Sequence, residues 1–234
     1  NDARRQRQMC IRDSINIAFW VVGALLTTVM CGACTVVAAS WAATHEFGVL
    51  HLLPLPWWCT VPVTIAVLDA VSYGWHRANH RVPLLWRFHQ VHHSDPACTV
   101  STALRFHPGE LLLSLPVRGA AVLLLGAPSI AVIVFEGVFT SANVFEHGDI
   151  TLSRSLERIL ERVCITPGLH RRHHSQERDD MDSNFGTIFV WWDRCFGTHR
   201  PSASEETVAI GLPDVGDVST FRRVLLLPML RPPQ

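Results

Sequence analysis

The chain has 234 residues, 48% of them hydrophobic and 17% charged, with twenty basic residues balancing twenty acids. Its mean hydropathy is +0.21. That length suits one sizeable domain, and the zero net charge excludes the basic footprint of a nucleic-acid binder.

The apolar residues come in blocks. No charge occurs from Ser14 to Thr44, which is ample for a membrane helix of about 20 residues. The basic stretch "RRQR" and Arg12 precede it. The block exceeds the roughly 7–15 apolar residues of a signal peptide. It reads as an uncleaved first span with a cytoplasmic N-terminus, by the positive-inside tendency. Cys31 and Cys34 form a CxxC within it and read as small-residue packing against another helix. The other five Cys have no framework spacing, so no disulfides are expected.

A second block runs from Phe47 to Trp75, with Pro54 and Pro56 marking a turn and a helix beginning near Trp57. Asp69 is its single acid, and it delivers His76 and His80 at its end. Residues 76–109 are polar and His-rich. A third block, Leu111 to Leu125, carries Arg118, and Gly126, Ala127 and Pro128 then signal a turn. The fourth block, Ser129 to Phe145, carries Glu136. These last two are short for full spans and read as a hairpin that crosses partly. The tail from Pro201 ends in "VLLLPML", an interfacial or surface segment. Every His cluster then falls at the end of an apolar block, on one face of the membrane, with both termini cytoplasmic.

The clusters carry the chemistry. "HRANH" sets His76 and His80 at i and i+4. "HQVHHS" sets His89, His92 and His93 at i, i+3 and i+4, and "HRRHHS" repeats the pattern with His170, His173 and His174. Such residues fall within roughly 100° of arc on a helix. His147 closes the fourth block in "FEHGD". Imidazole suits iron, zinc, copper and nickel, and nine His are too many for one tetrahedral site and about right for two metals. Asn143, one turn before His147, is a candidate weak ligand or water-orienting group. Asp69, a costly acid in an apolar span, Asp193 and Glu110 are candidate partners of ligand imidazoles, and His107 a candidate for the outer shell. His45, His51 and His199 stand alone and read as surface or packing residues. No HExxH occurs, which argues against a zincin-type hydrolase. Trp86, Phe88, Trp191 and Trp192 interleave the clusters and argue against a disordered His-rich metal buffer.

In order, spacing and flanking residues, "WHRANH", "LWRFHQVHHSD", "TALRFHPGE", "FEHGDI", "TPGLHRRHHS" and "NFGTIFVWWDRCFGT" resemble the fatty acid hydroxylase / sterol desaturase superfamily of integral-membrane di-iron oxygenases. The resemblance covers about 69–200. It implies an all-α fold: one domain over 1–234, an integral membrane helical bundle of about four apolar helices, with a cytoplasmic His-rich helical cap holding a dinuclear metal site. It implies two iron ions as cofactor, O2 as co-substrate, and hydroxylation or desaturation of a lipid C–H bond in a sterol-like, alkylglycerol or fatty acyl molecule. The implied ligands are His76, His80, His89, His92, His93, His147, His170, His173 and His174. Fatty acid 2-hydroxylases have a second His where Asn143 stands, and a HxxxxH first box. The HxxxH here leans toward the sterol desaturase branch, and "HQVHHS…STALR" is also similar to alkylglycerol monooxygenases.

Reduction of O2 needs electrons, and the chain has neither room for a haem or flavin domain nor a Rossmann glycine pattern. A separate donor, a ferredoxin or cytochrome b5-like protein, is expected. Arg77, Arg81, Arg87, Arg105, Arg154, Arg158, Arg162, Arg171, Arg172 and Arg178 crowd the segments where an acidic donor would dock. The alternative is a non-catalytic or transporting metal protein, but a transporter places ligands near mid-membrane, and these gather at one face.

Overall fold

The computed structural model describes residues 2–30, 32–53, 55–202, 208–213, 215 and 218–230, with backbone alone for 2–5, 26–30 and 32–34. The Cys31–Cys34 pair lies outside the described side chains. The described residues form helices without strands, joined by two isolated bridges, Cys164 with Phe189 and Ser175 with Ile210.

Helices α1 (Asp2–Met30) and α2 (Gly32–Thr44) follow the first apolar block. They run alongside α5 (Pro108–Leu125) in the same direction: Gly23 abuts Leu111 near one end, and Gly48 abuts Gly126 near the other. Helix α3 (Trp57–Arg81) runs the opposite way, from Leu68 packed with Leu125 to Asn79 beside Glu110. Helix α6 (Ser129–Glu146) returns to the same end as α3. Ala39, Leu68, Val122, Leu125, Val132 and Phe135 make the core between them. Gly126 ends α5 at φ 69°, a left-handed cap that favours Gly. Gly48, at φ 109°, lies against it with no space for a side chain.

Two helices among the described residues are long and apolar enough to cross a membrane, α5 and α6, each of 18 residues. This corrects the expectation from block lengths that these two fall short of full spans. The reason is local. At 1.5 Å per residue, 18 residues reach about 27 Å. Helix α3, by contrast, carries Asp69, Pro62 and a polar end.

The polar cap covers the end where α3 and α6 finish and α5 begins. It comprises α4 (Pro83–His93), α7 (Arg154–Leu160), α8 (Pro167–His173), α9 (Arg178–Met181), α10 (Trp191–Cys195) and α11 (Phe221–Leu230). Three of the helices around the site, α4, α5 and α8, begin on a proline, where the missing N–H costs nothing. The Thr166 hydroxyl caps α8 by accepting from Leu169 N. Arg105 is fully buried and donates to the Val91 carbonyl, the Ser94 hydroxyl and the Asn16 side chain. Asn16 donates to Asp95, which also accepts from Thr102. This network ties α1 to the end of α4, behind His92 and His93. Arg105 is therefore corrected from a docking arginine to a structural one. Helix α11 packs on α4 and α1, so the tail returns to the capped end.

Candidate metal centre

The nine clustered histidines converge at the top of α3, α5 and α6. They form two groups: His76, His80, His89, His93 and His173 in one, and His92, His147, His170 and His174 in the other, with nitrogens of each group within 4.8 Å of one another. Eight of the nine are buried and His76 is partly so. Each HxxHH stretch is split between the groups. In α4 the i, i+4 pair His89 and His93 joins the first group and His92 the second. In α8 the assignment is swapped: His170 and His174 join the second group and His173 the first.

Hydrogen bonds fix which nitrogen faces inward. Nδ1–H of His76 donates to the Phe185 carbonyl at 2.9 Å and that of His173 to the Ser183 carbonyl at 2.8 Å. Nδ1–H of His89 donates to Glu110 Oε1 at 2.8 Å, and Glu110 also accepts from Asn79 at 3.0 Å. His80 Nδ1 faces Asp182 at 3.6 Å. A neutral imidazole that donates through Nδ1 keeps a lone pair on Nε2. In the first group the Nε2 atoms of His76, His80, His89, His93 and His173 are buried without a hydrogen-bond partner.

In the second group, His147 Nδ1–H donates to the Asn143 carbonyl at 2.8 Å. Four Nε2 atoms then crowd together: His92 to His147 at 3.2 Å, His147 to His170 at 3.0 Å, and His170 to His174 at 3.1 Å. Nitrogens about 2.0–2.1 Å from a common centre and at right angles stand about 3 Å apart. The donor set fits a metal ion in each group, supported by carbonyls and carboxylates behind the rings.

Burial favours the neutral form of six of these imidazoles. It pushes His92, His93, His170, His173 and His174 well below the ordinary range, with neighbouring imidazoles adding to the effect, and brings His147 down to about 4.

The candidates from sequence divide. Glu110 meets His89. Asn143 meets His147 only through its backbone carbonyl, while its side chain donates to the Ala103 carbonyl. Among the described residues, neither Asp69 nor Asp193 accepts from a clustered imidazole, which corrects their reading as imidazole partners. Asp69 accepts from the backbone N–H of Ile188 and Phe189 and from the Trp192 indole. Asp193 accepts from Phe185 N, Gly186 N and Thr198 Oγ1. Burial raises the Asp193 carboxyl, and those three hydrogen bonds pull it back. Both acids satisfy the loop whose Phe185 carbonyl orients His76. His107 caps α5 by accepting from Gly109 N through Nδ1, and its Nε2–H donates to the Leu225 carbonyl. His45, His51 and His199 lie outside both groups.

Sequence reasoning missed Glu146. It is buried, with Oε2 3.7 Å from His170 Nδ1 and Oε1 3.8 Å from His147 Nδ1. Its place directly after the fourth apolar block, at the end of α6, is the nearest sequence signal. The carbonyls of Phe185 and Ser183 carry no side-chain signal.

A cavity of about 140 Å³ reaches the histidines of both groups from between α3, α5 and α6. Val71, Trp75, Phe106, Leu111 and Phe139 wall it, and Arg118 lines it on α5. The arrangement places metal-binding nitrogens at the head of an apolar slot.

Residues 61–198 match the profile of the fatty acid hydroxylase family. Alkylglycerol monooxygenase of Danio rerio is 32% identical over 66% of this chain and 34% of its own length. Ornithine lipid hydroxylase OlsE of Rhizobium tropici is 29% identical over 78% of the chain and 53% of its own. Human alkylglycerol monooxygenase is 31% identical over 74% and 38%. The chain thus spans about a third to a half of these relatives. No solved structure matches it. With its profile match running through all nine clustered histidines, the chain belongs to the fatty acid hydroxylase family.

Proposed function

We propose that the chain is a membrane-bound, O2-dependent di-iron oxidoreductase that hydroxylates a C–H bond of a lipid. The observation that carries this reading is the convergence of nine inward-facing imidazoles, in groups of five and four, on the head of an apolar cavity. The proposed ligands are those nine: His76, His80, His89, His93 and His173 for one iron, and His92, His147, His170 and His174 for the other. Two irons held there supply the O2 activation that an unactivated C–H bond demands. The chain's own residues do the rest. Glu110, Glu146 and the Phe185 and Ser183 carbonyls hold the rings in orientation. Trp75, Phe106 and Phe139 exclude water and seat the hydrocarbon. Hydroxylation is preferred over desaturation because the relatives cited above are named hydroxylases and monooxygenases, of ornithine lipid and alkylglycerol. The substrate is accordingly a lipid with a long alkyl chain and a polar head, and the electrons come from a separate ferredoxin or cytochrome b5-like donor.

We place the His cap on the cytoplasmic side. Between Arg12 and Arg77, and again between Arg118 and Arg154, no basic residue occurs except His. All arginines except Arg118 therefore belong to the capped end or the termini that return to it, as the positive-inside tendency requires. In this reading α1–α2, α3, α5 and α6 each traverse the bilayer, and 1–234 is one domain.

The test is iron content of the purified chain together with lipid profiles of cells expressing it or His173→Ala. Two irons per chain and an oxidised lipid absent from the variant are expected. A single exchangeable zinc with no change in lipids overturns the reading and points to a metal-carrying protein instead.

A further inference from the structure

Arg118 and Glu136 are unused by the metal site, yet one of them lines its cavity. Arg118 lies eight residues beyond Glu110 on α5, and Glu136 lies ten residues before Glu146 on α6. At 1.5 Å per residue this sets them about 12–15 Å from the glutamates at the cavity head, near the middle of both apolar helices. Ionisable groups at such depth are costly and mark function.

Their placement is unusual in a second respect. Helices α5 and α6 are joined by the short turn at 126–128, but they scarcely touch along their length, packing on α2 and α3 instead. The gap between them is bridged by Arg118 Nη2 donating to Glu136 Oε1 at 2.7 Å. The guanidinium lies 5.5 Å from the Phe139 ring centre and 6.0 Å from that of Phe135. A guanidinium has five N–H donors, and among the described residues this one makes a single hydrogen bond. The pair is not sealed, since the side chains are 32% and 43% exposed. Among the described residues its other donors have no hydrogen-bond partner, and the residue lines a slot whose other end holds the histidines.

Building on the oxygenase reading, we infer that Arg118, paired with Glu136, binds a neutral oxygen acceptor on the lipid, an ester, amide or ether oxygen, and so fixes which carbon reaches the histidines. Three physical arguments rank the ligands. A plain hydrocarbon leaves guanidinium donors desolvated and unpaired. An anionic group meets a cation already neutralised by Glu136 and adds an uncompensated charge in an apolar slot. A neutral acceptor takes up the spare donors with neither cost. The distance from Arg118 to the cavity head then acts as a ruler, with the acceptor held about 12 Å from the oxidised carbon.

The experiment is equilibrium competition against labelled methyl palmitate, using the purified chain in detergent and three probes: methyl palmitate, hexadecane and palmitate. Binding needs neither O2 nor turnover, so its outcome is independent of the metal-content test above. The wild type is expected to favour the ester over the alkane by roughly tenfold, the worth of one buried hydrogen bond. Arg118→Leu/Glu136→Leu removes both charges together and avoids stranding either one. It is expected to bind ester and alkane equally. Glu136→Gln leaves the cation unbalanced and is expected to shift preference toward palmitate. An ester preference that survives in the double variant means the pair only staples α5 to α6, and overturns the inference. So does the absence of saturable ester binding to the wild type.

Discussion

His92 and His93 are adjacent in the chain, yet their imidazole planes cross at 87° and serve different groups. His173 and His174 repeat the relationship at 89°. Successive helical residues diverge by about 100°, so an HxxHH turn sends its i, i+4 pair one way and its i+3 member another. Two such turns, facing each other with the roles swapped, set two groups of imidazoles side by side between two short helices. The first group is completed by the i, i+4 pair of α3 and the second by His147.

That division predicts which metal each histidine controls. His80→Ala is expected to lower iron from two per chain toward one, with the four-His group still loaded. His147→Ala is expected to empty the other site. His199→Ala, outside both groups, is expected to leave iron and activity unchanged. Iron content with Mössbauer spectra of the loaded variants checks this; equal loss in all three overturns the ligand assignment.

The two buried glutamates act one on each group. Glu110→Ala frees the Nδ1 of His89, and Glu146→Ala removes the carboxylate behind His147 and His170. Losing such a partner typically costs 10–100-fold in metal affinity. Chelator competition is expected to show weakened binding at the five-His site in the first variant and at the four-His site in the second. Unchanged affinity in both means the carboxylates do not orient the rings.

Asp69 and Glu146 mark what the sequence could and could not yield. The nine histidines were legible because helical spacing and imidazole chemistry are local. The helical fold followed from block lengths, although the third and fourth blocks, α5 and α6, prove long and apolar enough to span. The carboxylates were not separable by local rules. Asp69 sits within an apolar block and Glu146 directly after one, but only tertiary contact shows that Asp69 faces the 188–192 loop and Glu146 the imidazoles. Asp69→Ala leaves two backbone N–H groups and an indole unpaired, at about 1–3 kcal/mol for each buried donor. Thermal unfolding in detergent is expected to fall by several degrees while iron affinity per folded molecule stays within a few-fold. Normal stability with lost iron would reinstate Asp69 as part of the metal shell.

The imidazoles of His92, His93, His147, His170, His173 and His174 also set a pH dependence for the metal-free chain. Their folded pKa lies below the ordinary 6.5, with His147 at about 4. Between those values the unfolded chain binds more protons, so stability rises with pH across that window. It is fully present above about pH 6.5 and is lost as pH falls toward 4, at up to about 1.4 kcal/mol per pH unit for each imidazole. Bound iron competes with the same protons and is expected to hold the melting temperature up to lower pH. A melting temperature of the metal-free chain that is flat from pH 7 to 4.5 contradicts neutral burial of the clusters.

The last prediction concerns the donor. Of the arginines crowding the cap, Arg105 is buried, and Arg171, Arg172 and Arg178 pair with Asp149, Asp180 and Asp182. Arg158 and Arg162 remain exposed on α7 and just beyond its end. Helix α7 is fastened to the start of α8, where Thr166 donates to Glu157. The other end of α8 carries His170, His173 and His174, about 10 Å along a seven-residue helix. A donor resting on α7 would therefore sit one short helix from both groups. An acidic ferredoxin or cytochrome b5-like protein docking there is steered by charge, and screening shortens from about 10 Å at 0.1 M salt to about 3 Å at 1 M. Turnover with a reconstituted donor is expected to fall across a salt series, and Arg158→Glu with Arg162→Glu is expected to raise the donor concentration needed for half-maximal rate several-fold at low salt. The same variants should keep normal iron content, which separates docking from folding. Salt-independent turnover, unaltered by the charge reversals, rules out a basic docking face on α7.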